Sequence, residues 1–154
     1  YLGTGYKCIA SFGHIRDIKD GLKGIDVQNN FKPTFRLLPT KSKFIKPLRA
    51  AINKAKEVIL ATDDDREGEA IAWHICRLAK LPVKTTKRII FHEITKSAIK
   101  KAIANPTVVD INKVNAQQAR QILDCLGHTL DLFDQHLDLF DQHLDLFDQI
   151  VDVI

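Results

Sequence analysis

Ile59-Leu60-Ala61-Thr62-Asp63-Asp64-Asp65-Arg66-Glu67-Gly68-Glu69-Ala70-Ile71-Ala72-Trp73-His74 decides how this chain is read. Five carboxylates fall within seven residues, between an apolar run and a stretch with helical spacing. The run Glu57 to Thr62 has the composition of a strand, and Asp63, Asp65 and Glu67 follow it at every second position. An extended backbone would point all three the same way. Three anions held close repel unless a cation or a raised pKa intervenes, and a hard divalent ion such as Mg²⁺ needs only one or two carboxylates plus waters. The expected metal ligands are therefore Asp63, Asp65 and Glu67, with Mg²⁺ as the ion and Mn²⁺ as a substitute. Two plainer readings compete. Carboxylates in the first turn of a helix explain one or two of the five. The opening of an EF-hand loop is also matched, but its bidentate twelfth position would be His74, and a strand rather than a helix precedes it.

Outward from this stretch, strands and helices alternate. Tyr6 to Phe12 reads as a short strand, Gly13 to Asp17 as a turn, and the segment to Lys32 as irregular because Gly21, Gly24 and Asn29-Asn30 favour loops. Phe35 to Leu38 reads as a strand. Pro39-Thr40 opens a helix to about Lys56, with Phe44, Ile45, Leu48, Ala51, Ile52 and Ala55 on one face. The spacing predicts a helix over Glu69 to Leu81 stopped by Pro82, a strand over Arg88 to Phe91, a helix capped by Thr95 and ending near Asn105-Pro106, and a last helix from Asn112 to Leu126. The fold class expected is α/β: a mostly parallel sheet with flanking helices, plus a C-terminal helical extension. Ligands in such sheets gather at the carboxyl ends of strands, where Asp63 and Asp65 would sit.

The acidic run followed by Gly68-Glu69-Ala70-Ile71-Ala72-Trp73-His74 resembles the metal-binding motif of the type IA DNA topoisomerases. Tyr1 to Asp17, with its Ser11-Phe12-Gly13-His14-Ile15-Arg16-Asp17, is similar to the family's second strand and basic turn. Arg88-Ile89-Ile90-Phe91-His92-Glu93-Ile94-Thr95 and Val114-Asn115-Ala116-Gln117-Gln118-Ala119-Arg120 are similar to its later landmarks. Roughly residues 1 to 127 are covered, in the family's order. The resemblance implies a Toprim (Rossmann-like) domain over 1–106 lacking its first strand, the start of a helical domain over 107–127, and a tail of unrelated sequence over 128–154. It also implies Mg²⁺-dependent cleavage, passage and religation of DNA, mainly single-stranded or underwound, inside a prokaryotic cell or a viral host. The cleaving tyrosine of that family lies in a later domain, and Tyr1 and Tyr6, the two tyrosines here, match other positions. The chain alone is expected to be an inactive fragment. A noncatalytic DNA-binding module and a Toprim nuclease are the alternative functions.

His14 and Arg16 lie on the turn after the first strand, which places them near the acidic cluster if both strands are parallel, and by the same resemblance they belong to the DNA-binding and cleavage region. Arg forks onto phosphate while His donates or accepts a proton. Glu67, Arg66 and His14 are the expected supporting residues of catalysis. Arg66 is also expected to contact DNA, with an ion pair to Glu69 as its plainer reading. Asn115, Gln118 and Arg120 offer donors to a DNA strand, while Val114, Ile122 and Leu126 face a core. Trp73 reads as a core anchor rather than a base-stacking platform.

Composition adds bounds. The 154 residues are 45% hydrophobic and 27% charged, as expected of a globular domain, and no apolar run is long enough to span a membrane. Cys8, Cys76 and Cys125 are widely spaced, and buried reduced thiols are expected. The net charge of +4 hides a division: residues 130–154 hold seven Asp and no Lys or Arg, leaving +11 on the preceding 129 residues. Such a basic body attracts phosphate backbones. The tail repeats Leu130-Asp131-Leu132-Phe133-Asp134-Gln135-His136 nearly three times, and its Leu and Phe positions fit a coiled-coil seam. Three units support at most weak self-association.

Overall fold

The computed structural model describes residues 5–11 and 13–130. The heptad tail beyond Leu130 and the calls on Tyr1 to Thr4 and Phe12 lie outside the described residues. Among the described residues there are six short strands: β1 (Arg16–Ile18), β2 (Ile25–Asp26), β3 (Lys32–Pro33), β4 (Phe35–Leu37), β5 (Ile59–Ala61) and β6 (Lys87–Ile89). Helices are α1 (Ser42–Lys54), α2 (Arg66–Ala79), α3 (Lys96–Ala104) and α4 (residues 111–130), with 3-10 turns at Gly21–Gly24 and Pro39–Lys41.

β5 and β6 pair in parallel, Leu60 opposite Arg88, and α2 connects them, so this βαβ unit has the expected topology. The other pairings are antiparallel, β1 with β4 and β2 with β3. Two local expectations are corrected. Residues 6–11 form no strand; the strand lies later, at Arg16–Ile18, where Phe35–Leu37 supplies the hydrogen-bonding partner. The segment before Lys32 is also less irregular than its glycines suggested, because it folds into a 3-10 turn and the β2–β3 pair.

Helix boundaries follow local chemistry. Asp65 stands before α2 in an extended conformation and its carboxylate accepts a hydrogen bond from the Gly68 N–H. Glu67 and Glu69 then sit in the first turn, where the helix dipole favours anions. α2 ends at Lys80 in the left-handed region, with the Leu81 N–H reaching back to the Cys76 carbonyl before Pro82 stops it. Thr95 caps α3 by accepting from the Ala98 N–H.

α2 is the centre of the packing. Ala72, Ile75 and Cys76 join Ile15, Ile45, Leu60, Val109 and Val114 in one buried cluster, with Trp73 packed half-buried against it as an anchor. Ile122 and Leu126 are half-buried as well. Gly68 is required where it stands: a Cβ there would lie 2.1 Å from the Asp63 carbonyl oxygen, so the first turn of α2 sits directly on the acidic loop. All three cysteines are free, and Cys76 is buried as expected, but Cys8 is exposed because the segment carrying it packs outside the core. Among the described residues, no helix is long and apolar enough to cross a membrane.

Candidate metal and nucleic-acid site

The acidic loop leaves the C-terminal end of β5 and enters α2, so Asp63, Asp64 and Asp65 lie at the carboxyl edge of the parallel pair. The three expected ligands do not converge. Asp63 is exposed, Asp65 directs Oδ1 to the Gly68 N–H at 2.6 Å, and Glu67 directs Oε2 to His14 Nε2 at 2.6 Å. Among the described residues no three His, Cys, Asp or Glu side chains are grouped to hold an ion. The alternation rule assumed a continuous extended backbone, but α2 begins at Arg66 and turns Glu67 away from Asp63. Asp63 and Asp65 both remain exposed to solvent at the end of β5.

Asp64, between them, has another task. Its carboxylate takes the Lys113 ammonium at 2.8 Å, which ties the loop to α4. The hydrogen bond and charge of Lys113 hold the Asp64 carboxyl below the usual carboxylate range, and Asp64 reciprocally raises the lysine. Glu69 is not paired with Arg66. It is buried against Arg88, with Oε2 3.4 Å from Nε, and accepts from the Asp110 N–H at 3.1 Å. Arg66 is exposed.

His14 contacts the acidic segment at Glu67 and Arg16 shares a cleft with it, although they stand on a loop and an antiparallel strand rather than after a parallel one. They open onto a cleft of about 280 Å³ that is also lined by Asp17, Leu38, Glu67, Gln117, Arg120, Gln121 and Asp124. Arg16 lies over the Phe35 ring and donates to the Phe35 carbonyl at 3.3 Å. Burial, then the nearby Arg77, lowers its basicity, and a guanidinium remains charged regardless. Arg120 is exposed and 3.4 Å from Asp124 one turn on.

Of the sequence candidates, His14, Arg16, Glu67 and Arg120 are gathered in this cleft; Asp63, Asp65, Arg66, Asn115 and Gln118 are not among its walls. Asn115 is exposed and Gln118 half-buried on another strip of α4. Sequence reasoning missed Asp17, Gln117 and Gln121. Gln121 donates to Asp17 at 2.8 Å, and Gln117 is buried with its Oε1 lacking a hydrogen-bond partner. A signal existed: positions 117, 120, 121 and 124 recur at the spacing of one helix face. Below the cleft, His74 is buried with Phe35 and Trp73 rings each 4.8 Å away. Burial chiefly, then Arg16 and His14, pulls its pKa from 6.5 to about 3.

The Toprim domain model matches residues 1–94, well over half of the chain. The chain belongs to the Toprim family. Toprim domains bind divalent metal ions, typically Mg²⁺. The chain is also similar to full-length topoisomerase I from Thermotoga maritima, at 42% sequence identity and a TM-score of 0.74 over 81% of this chain. It spans 21% of that protein's length. The chain thus has a Toprim fold of mixed α/β content, with a parallel β5–β6 pair and flanking helices, and is similar in structure to that topoisomerase I.

Proposed function

We propose that this Toprim chain is the metal- and DNA-binding part of a type IA DNA topoisomerase, an isomerase that cleaves one strand, passes another and religates. The observation that carries the reading is the cleft in which His14, Arg16 and Arg120 meet Glu67, at the entrance of the helix that follows the acidic loop. Two arginines on different elements facing one cleft suit a phosphate backbone, because each presents forked donors with permanent charge. Gln117 and Gln121 add amide groups along the same wall. Residues from 107 onward would begin the next, helical domain, so the cleft would lie where two domains meet, in a protein that works on DNA inside the cell.

Asp63 and Asp65 would hold Mg²⁺, with Glu67 joining once His14 releases it. When bound, the ion offsets phosphate charge and orients the phosphate groups for religation. The chain's own residues do the rest: Arg16 and Arg120 align the strand, and once Glu67 turns to the ion, His14 Nε2 is free to hydrogen-bond a phosphate oxygen. The partner we propose for this cleft is a single DNA strand, as the resemblance to type IA topoisomerases implies.

Fluorescence anisotropy with a single-stranded oligonucleotide tests the reading. Arg16→Ala and Arg120→Ala should each weaken binding and each lower the slope of log affinity against log salt by about 0.7, the value for one phosphate contact on a single strand. Unchanged affinity and slope in both variants would remove the cleft from the DNA path.

A further inference from the structure

We infer that Arg88, on β6, is a positioning residue that fixes the backbone of the acidic loop and couples it to the segment entering α4. The inference rests on the metal-site reading above and extends it to a residue outside the acidic run. Arg88 is fully buried, and its Nη2 donates to the Asp63 carbonyl at 2.7 Å and lies 3.4 Å from the Thr62 carbonyl. Those carbonyls belong to the turn that carries the proposed ligands. The same guanidinium faces Glu69 Oε2 at 3.4 Å, and that oxygen accepts the Asp110 N–H. On the backbone side, Arg88 and Thr107 exchange both amide bonds, at 2.8 and 2.7 Å. One residue thus holds the acidic loop, the first turn of α2 and the lead into α4.

Stability is a poor explanation for this arrangement. Burying an ion pair costs desolvation that its attraction rarely repays, and apolar residues of similar volume often do as well or better. The cost here is not fully offset, because Nη1 has no hydrogen-bond partner and Nε is too far from Glu69 for a good bond. What a planar fork supplies that a hydrophobic side chain cannot is a fixed position for carbonyl oxygens. The carbonyls it fixes are that of Thr62, just before the first proposed ligand, and that of Asp63 itself, two residues before Asp65. Groups that orient metal ligands in this way commonly change affinity ten- to a hundredfold when lost.

Hydrogen exchange read by mass spectrometry, together with Mn²⁺ titration, tests this on the whole chain. Arg88→Lys keeps the charge opposite Glu69 but removes the fork, and Glu69→Gln keeps the volume and an acceptor for the Asp110 amide. In Arg88→Lys the amides of residues 61–68 should exchange at least tenfold faster while those of α1 change less than twofold, and Mn²⁺ affinity should fall at least tenfold. Glu69→Gln should accelerate the same segment and residues 107–112 together. Uniform acceleration across α1, α2 and β5–β6, in step with a lower melting temperature, would make Arg88 a structural ion-pair partner and overturn the inference, as would wild-type exchange in the loop. If the wild-type chain takes up no Mn²⁺, the metal reading fails, yet the exchange pattern still decides whether Arg88 positions the loop.

Discussion

Gly68→Ala is a substitution whose usual effect has the opposite sign from the one expected here. In a helix, Ala is favoured over Gly by about 1 kcal/mol through backbone entropy. At Gly68 the added Cβ would lie 2.1 Å from the Asp63 carbonyl oxygen and 2.9 Å from both the Asp63 carbonyl carbon and amide nitrogen. All three are backbone atoms, so α2 or the loop must move by roughly an ångström to restore ordinary contact. Overpacking of this kind typically costs about 1–3 kcal/mol. The same shift strains the 2.6 Å bond from the Gly68 N–H to Asp65, a cap worth about 1 kcal/mol, and the 2.7 Å bond from Arg88 to the Asp63 carbonyl. Net of the propensity gain, Gly68→Ala should destabilise by about 1–3 kcal/mol, read by urea unfolding followed by circular dichroism. Gly127 in α4 is the control: its Cβ would meet nothing within 4 Å, so Gly127→Ala should stabilise by roughly 0.5–1 kcal/mol. If Gly68→Ala proves as stable as wild type or more so, the close seating of α2 on the acidic loop is wrong.

His74 gives a pH test. Burial above all, then Arg16 and His14, depresses its folded pKa from 6.5 to about 3, so the unfolded chain takes up a proton that the folded chain refuses. Stability should therefore fall as pH is lowered from 6.5 toward 3, by on the order of 1.4 kcal/mol per unit from this residue, and His74→Gln should flatten that slope. An unchanged slope in the variant would mean that His74 titrates normally. For catalysis the expectation is negative: the 154 residues contain Tyr1 and Tyr6 alone as tyrosines, and neither matches a type IA nucleophile. The isolated chain should neither relax supercoiled plasmid nor form a covalent adduct at any Mg²⁺ concentration; an adduct at Tyr6 would contradict this, and Mg²⁺-dependent nicking without an adduct would favour a nuclease.

Local signals carried the helices well. Thr95, Pro82 and the apolar spacing from Phe44 to Ile52 act within a few residues, and α1, α2 and α3 begin and end close to where they indicate. Strand positions depended on distant partners. Tyr6 to Phe12 has strand composition, but Phe35–Leu37 pairs with Arg16–Ile18, so the strand forms there. The acidic run showed which residues to suspect and misjudged their arrangement, because Asp65 capping α2 ends the alternation on which the three-ligand geometry relied. Arg88 and Glu69 lie 19 positions apart, and nothing in either neighbourhood announces that they meet. Gln117 and Gln121 were within reach of the helical periodicity already used for Val114 and Ile122, had the polar face been read as closely as the apolar one.

Whether the acidic loop holds a divalent ion is tested most directly by Mn²⁺ titration of the wild-type chain against Asp63→Asn with Asp65→Asn. Asparagine caps helices as well as aspartate does, so the double variant should keep its helical circular dichroism. Saturable Mn²⁺ uptake by the wild-type chain, competed by Mg²⁺, is expected, with at least tenfold weaker uptake by the folded double variant. No uptake by wild type, or equal affinity in the double variant, would contradict it.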